Sequence, residues 1–418
     1  MEMETYIQQQ RRQGELDSEG AFTVDALAAL RITLASALPE PHYYLFLLLQ
    51  GLVAGGAESI EVAIGRHSTR LGFDDPQERF ADLDALRTRL WRGLTLSSQH
   101  SEDMLLAGMA TSVGQEMDRA DLFGPNPDGE PHPCLAISLR QAQVTDHPGG
   151  RPTSHSTVFL HRNVSASQSF AWTRVWGGRR EEGEILRRFE HVDPPLKVAG
   201  LATSPRPLWP DGLDPVSGVG SIILLEAAVL AEAGQPTHRV HSTHPMLPAV
   251  DEIGEEISPE LHSRLGRQCP TNHDGFARPR CLFRRAFSSN GDVVAGDLAP
   301  EVWQRRRWSL FLTSHRQKEA CVVWVRHGMT VERQLVDLGL PGLFLVAPAD
   351  GLDVDASGFG LVHNAKLESR LEQGRDLVRT VAASIQTSDV EELMKRVGRP
   401  DDAEPVVKAF SCLAGPTG

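Results

Sequence analysis

The stretch His42–Val53, HYYLFLLLQGLV, is apolar nearly all round and is followed by Gly55 and Gly56. A helix of this kind has no solvent face, so other layers of the same chain must enclose it. The paired glycines stop it in the usual C-terminal manner. The longest apolar run, Tyr43 to Ala57, is broken by Gln50 and falls short of the ~20 residues a membrane helix needs. The segment predicts a core helix inside a layered fold.

Its surroundings point to an α+β architecture. Thr23 supplies an N-cap for a helix over 24–37, which Pro39 and Pro41 end. Ile60, Val62 and Ile64 alternate along one strand, and 69–73 pairs with it across the turn Gly65–Ser68. A polar helix over 76–91 and an amphipathic helix over 102–117 follow, the latter burying Met104, Leu105, Leu106, Met109 and Val113. Short strands at 121–123, 134–139, 156–161 and 171–175, a helix at 181–189 and a strand at 196–199 complete this half. Early helices and late hairpins suggest a layered domain with a mixed or antiparallel sheet.

The whole chain, at 418 residues, is too long for one ordinary core. Residues 204–220, SPRPLWPDGLDPVSGVG, are rich in proline and glycine and form the expected linker. The expected division is a polar arm (1–21), a first domain (22–203), the linker, a second αβ domain (221–388), and a C-terminal helix and tail (389–418). In the second domain 221–233 is an apolar strand or helix and 234–280 is irregular. Strands at 309–312, 320–326, 330–334 and 342–347 then lead to a helix at 365–384, and a last helix at 390–397 precedes a loose tail.

Composition narrows the function classes. Five scattered cysteines make no disulfide framework, which favours a reducing cytoplasm. A net charge of −13 argues against a dedicated nucleic-acid binder. The polar N-terminus shows no signal-peptide core. Only five lysines stand among 42 basic residues, the usage of a GC-rich bacterial genome. The expectation is a soluble, cytoplasmic, bacterial protein that does not enter a membrane.

The segment Tyr44–Asp75 resembles the opening of the GHKL ATPase fold of gyrase B, MutL, the ninety-kilodalton heat-shock chaperone and histidine kinases. The shared pattern is a helix, Gly56-Ala57, the strand Ile60-Glu61-Val62, a turn, a second strand and Asp74-Asp75. The helix Met104–Met117 with Asp118–Phe123 is similar to that family's second core helix and strand. The resemblance implies a GHKL-like α/β sandwich followed by a smaller transducer-like αβ domain. It also implies an adenine-reading aspartate at Asp74 or Asp75 and a γ-phosphate lysine at Lys318. The ATPase residues themselves are missing: the positions of the catalytic glutamate, the magnesium asparagine and the following acid hold Leu47, Gly51 and Ala54. Leucine cannot polarise water and glycine offers magnesium no side-chain oxygen. Pro76, Gln77 and Glu78 replace the glycines that normally follow the aspartate. The bland reading of Asp74 and Asp75 is that they cap a helix start.

Other signals compete. VWVRHGMTVER (323–333) resembles the phosphohistidine signature of the histidine phosphatases, which would make His327 a nucleophile and Arg326 its phosphate clamp. Only 91 residues follow His327, and His363 is the one histidine left as its partner. A strand end with a glycine turn explains the same residues. His238, His241 and His244, spaced by threes ahead of Cys269, His273 and Cys281, are candidate zinc ligands, although solvated loop histidines account for them too. Arg305–Arg307 between Trp303 and Trp308 reads as an ion-paired or interface patch.

The expectation is a non-catalytic, GHKL-like pseudo-ATPase without a cofactor. It would serve as an interaction, scaffold or chaperone-like subunit with a protein partner, a second copy included by family analogy. The alternatives are an ATP- and magnesium-dependent switch with displaced residues, and a phosphohydrolase using His327.

Overall fold

The computed structural model describes residues 36–92, 100–113, 117–139, 141–147, 153–162, 180–202, 222–232, 237–239, 244–245, 280–294, 305–313, 319–340, 342–384 and 403–414, with a few isolated positions besides. The expected linker, the strand at 171–175 and the helix at 390–397 lie outside them, as does most of the helix at 24–37.

A 3-10 turn at Pro41–Tyr43 leads into α1 (Tyr44–Ala54), which is buried from Tyr44 to Leu52. Its apolar circumference is matched by cover on every side, as the sequence requires. The helix packs on α3 (Ser101–Ser112), preceded by α2 (Leu83–Trp91), whose N-cap Asp82 accepts from the Ala85 N–H. The 76–81 stretch expected as helix is turn and coil ahead of that cap. The helix expected to reach Met117 stops at Ser112, and Met117 opens a strand.

Beneath the helices lies an eight-stranded mixed sheet. Its strands are β1 (Ile60–Ile64), β2 (Ser68–Phe73), β3 (Met117–Phe123), β4 (His132–Ser138), β5 (Ala142–His147), β6 (Ser156–Arg162), β7 (Leu196–Val198) and β8 (Leu201–Ala202), with α4 (Arg180–Arg188) between β6 and β7. The order is β5-β4-β3-β6-β2-β1-β7-β8. All neighbours are antiparallel except β1 and β7. Ile60, Val62, Leu71, Leu122, Leu135, Val158 and Leu160 share one core with the helices.

The second sheet is also mixed, ordered β11-β12-β9-β15-β18-β16-β17 with β13 on the side of β12. Its strands are β9 (Ile222–Val229), β11 (His244–Pro245), β12 (Arg280–Phe287), β13 (Val293–Val294), β15 (Trp308–Thr313), β16 (Ala320–Arg326), β17 (Met329–Val336) and β18 (Leu343–Pro348). A two-stranded ribbon joins β10 (His238–Arg239) to β14 (Arg305–Arg306). The apolar 222–229 segment is thus a strand. Two helices cover the sheet, α5 (Ala365–Ala383) and α6 (Ala403–Ala414). Asn364 caps α5 through the N–H groups of Lys366 and Leu367, and Leu367, Leu371, Val378 and Val381 face the core at helical spacing. α6 lies where only a loose tail was expected, and it buries Phe410 completely.

Charged groups are buried in this sheet. Glu226 of β9 is fully buried, with Arg306 at 2.5 Å and Arg284 of β12 at 2.9 Å. The part of the basic 305–307 run held by Arg306 is therefore ion-paired inside the fold.

Candidate functional site

The positions that the GHKL resemblance assigns to ATP chemistry lie where α1 crosses α3. Leu47 is fully buried in the core. A Cβ on Gly51 would stand 2.7 Å from the Leu105 nitrogen and 2.9 Å from the Ser101 carbonyl oxygen. From the other side, a Cβ on Gly108 would meet Leu48 Cγ at 2.7 Å. The helices meet backbone to backbone at Gly51 and, from the other side, Leu48 packs on Gly108, so Gly51 is a packing position.

Asp74 and Asp75 follow β2. Asp74 accepts from Ser59 Oγ at 2.5 Å and pairs through its other oxygen with His155 Nδ1 at 2.6 Å. The Ser59 bond, ahead of the His155 charge, holds its carboxyl below the usual range. Asp75 accepts from the backbone N–H groups of Arg79 and Phe80. It caps a turn, while the cap of α2 is Asp82. Lys318 and His241 lie outside the described residues.

Arg326 and His327 end β16. His327 and Gly328 form a two-residue hairpin loop into β17, with Arg326 paired to Met329 and φ of 47° and 77° at the two loop residues. Two positive φ values in such a loop mark a type I′ turn, the form that suits twisted antiparallel strands. Asp350 Oδ1 accepts from the His327 backbone N–H at 3.2 Å and stands 3.1 Å from the ring Nδ1 as an ion-pair contact. Nε2 is buried and has no hydrogen-bond partner among the described residues. Burial pushes the imidazole down to about 4, against the pull of Asp350. Arg326 is buried and donates to the Gly358 carbonyl, and burial lowers its pKa as well. His363 is exposed and turned towards Glu332 at 3.6 Å.

His238 is in a strand, not a solvated loop. It is buried edge-on against the His191 ring and 3.4 Å from Ser309 Oγ, and desolvation keeps it neutral. His244 forms part of β11 beside β12. Among the described residues no His, Cys, Asp or Glu group is arranged to hold a metal ion.

The hairpin tip is also where the two sheets meet. A Cβ on Gly328 would lie 2.5 Å from Val192 Cα, so only glycine allows the approach. Gln50 of α1 donates to the Met329 sulfur at 3.2 Å. Glu190, almost wholly buried, accepts from Arg333 at 3.1 Å and Thr330 at 3.4 Å. Nearby, Phe359 enters the first core, 5.0 Å from the Tyr43 ring and 6.1 Å from Phe46. Arg188 lies over both of those rings and donates to Tyr43 Oη. Asp350 and Glu190 escape a sequence reading. Asp350 stands in Ala349-Asp350-Gly351, which reads as a turn, and Glu190 follows a charged helix end that reads as solvated.

No protein-family model matches the chain, and no curated protein matches it. Among the described residues no helix is long and apolar enough to cross a membrane. Chemically, the arrangement offers a buried imidazole beside a carboxylate at a sheet junction and a helical layer closed by glycine contacts.

Proposed function

We propose that the chain is a GHKL-like pseudo-ATPase that works without catalysis, as an interaction, scaffold or chaperone-like subunit in a bacterial cytoplasm. What carries this reading is the α1–α3 crossing. The residues at the glutamate and magnesium positions, Leu47 and Gly51, are spent on core packing and on a backbone contact with Leu105. A side chain able to hold magnesium at position 51 would have to displace the backbone of α3. The partner in this reading is another protein, with a second copy of the chain as one candidate. Thermal unfolding with and without millimolar ATP and magnesium tests it. A ligand at 100 times its dissociation constant adds about 2.7 kcal/mol, whereas no change is expected here. A magnesium-dependent rise in Tm would replace this reading with the nucleotide switch, whose base contact would fall to Asp74 or Asp75 and whose phosphate contact to Lys318.

A second reading rests on the His327–Asp350 pair, since an imidazole set 3.1 Å from a carboxylate at a strand end is an arrangement a phosphohistidine nucleophile could use. Burial of Nε2 in the turn weighs against it. Hydrolysis of a generic phosphoester, lost in His327→Ala and kept in His363→Ala, would establish it. No hydrolysis by the wild-type protein would remove it.

A further inference from the structure

Gly328, Met329, Thr330 and Arg333 each touch the other sheet's half of the molecule, at Val192, Gln50 and Glu190. All four depend on the turn His327–Gly328 for their placement. That turn is tied down by one carboxylate oxygen of Asp350, which accepts the His327 backbone N–H and lies 3.1 Å from the ring Nδ1. Asp350 is itself held from behind, where Arg370 of α5 donates to the carbonyls of Pro348 and Asp350. A non-glycine residue at a φ of 47° keeps that conformation only while its surroundings impose it.

We propose that the β16–β17 hairpin tip is a proton-sensitive latch between the two sheets, with His327 as the titrating group. In the closed latch the ring is neutral and Nε2 is shut away from water with nothing to receive a proton's charge. A second proton is accommodated only if Nε2 reaches solvent. Bringing Nε2 to solvent requires the turn itself to shift against the pull of Asp350, and the seat of Gly328 on Val192 is lost with it.

The groups facing His327 set the direction. Asp350, from the β18–α5 connection, favours the imidazolium, and Arg326 on the same strand opposes it. Across the junction Glu190 is engaged by Arg333 and Thr330, and His191 donates from Nδ1 to the Arg239 carbonyl. The closed form holds His327 down to about 4, and a released ring titrates near the ordinary ~6.5. The latch is therefore tightest above about pH 6.5. It loosens as pH falls, and by about pH 4 its open-to-closed ratio has risen by about two orders of magnitude.

Hydrogen exchange on the full chain tests this, using protection factors corrected for the intrinsic pH dependence. Peptides covering 189–193 and 327–333 are compared with β3 from about pH 7 down to about pH 4.5. Protection is expected to fall at the first two while β3 stays protected. His327→Asn removes the titration but suits the turn, because Asn-Gly is the favoured type I′ pair. Its latch protection is expected to be flat across that range, and His327→Gly serves the same purpose should the asparagine variant not fold. The proposal fails if wild-type protection at the latch does not change, if it falls together with β3 in one global step, or if the variant keeps the wild-type pH dependence.

Discussion

Gly51 on α1 and Leu105 on α3 approach so closely that the space for one methyl group is already taken: a Cβ on the glycine would lie 2.7 Å from the leucine nitrogen. The neighbour is backbone and cannot rotate away. Gly51→Ala is therefore expected to destabilise the protein by about 1–3 kcal/mol through overpacking. Urea unfolding checks it. A neutral or stabilising effect would mean that the helices stand further apart than described and that the α1–α3 layer has room for a ligand.

Phe359 is the side chain that the second sheet's connecting loop lends to the first core. Asp355 shapes that loop by accepting from the N–H groups of Ser357, Phe359 and Gly360. Phe359→Ala removes a buried ring from the cluster with Tyr43 and Phe46, at an expected cost of about 3–5 kcal/mol. The check is whether the reporters of both sheets lose stability in a denaturant titration. A loss confined to the second sheet would show that the ring does not bridge the cores.

Acid should weaken the fold in a window set by histidine. His327 is depressed to about 4 in the folded protein, and burial also lowers His191. Above the ordinary ~6.5 both states are neutral and the native state keeps its full stability. As pH falls below that value the unfolded chain takes up protons that the native chain refuses, and stability is lost until the folded pKa is passed. For His327 alone the loss reaches about 3 kcal/mol. Asp74, whose folded pKa is lowered, loses its contribution only as pH falls further, through its own range. Urea midpoints at about pH 7 and about pH 5 read the histidine part separately, and equal midpoints would contradict it.

Glu226→Ala leaves two arginines facing an empty place in a sheet interior. Removing one partner of a buried ion pair costs about 3–5 kcal/mol, and a loss of that size is expected here. An exposed surface pair would lose less than about 1 kcal/mol, so the same measurement reports whether the triad is enclosed as described.

Much of the first sheet's half is legible in the residues. α1 declares itself because no face of Tyr44–Leu52 is polar, and β1 because Ile60, Val62 and Ile64 alternate. The misses have physical causes. β12, RCLFRRAF, reads as polar although Arg284 is neutralised by Glu226, a residue distant in sequence. β5, AQVTDH, is an edge strand with little apolar content, and it looks like the approach to the turn after it. α6 passes for a tail because its core contribution rests chiefly on Phe410. At the junction, Arg326-His327-Gly328 is visible as a motif, yet nothing local says that Asp350 holds its backbone N–H beside the ring or that Val192 lies on its glycine.

The buried Glu226 also bears on how the second sheet finds its order. Its two arginines come from different parts of the chain, Arg284 being 58 residues away. Apolar neighbours such as Leu225 and Ala227 would tolerate many pairings, since one greasy contact replaces another. A slip of one residue would turn Glu226 to the opposite face, separating its carboxylate from the two guanidinium groups it now meets. Strand assembly here is corrected by penalty more than by reward: an arrangement that separates residues 226, 284 and 306 gives up their mutual charge compensation inside the sheet.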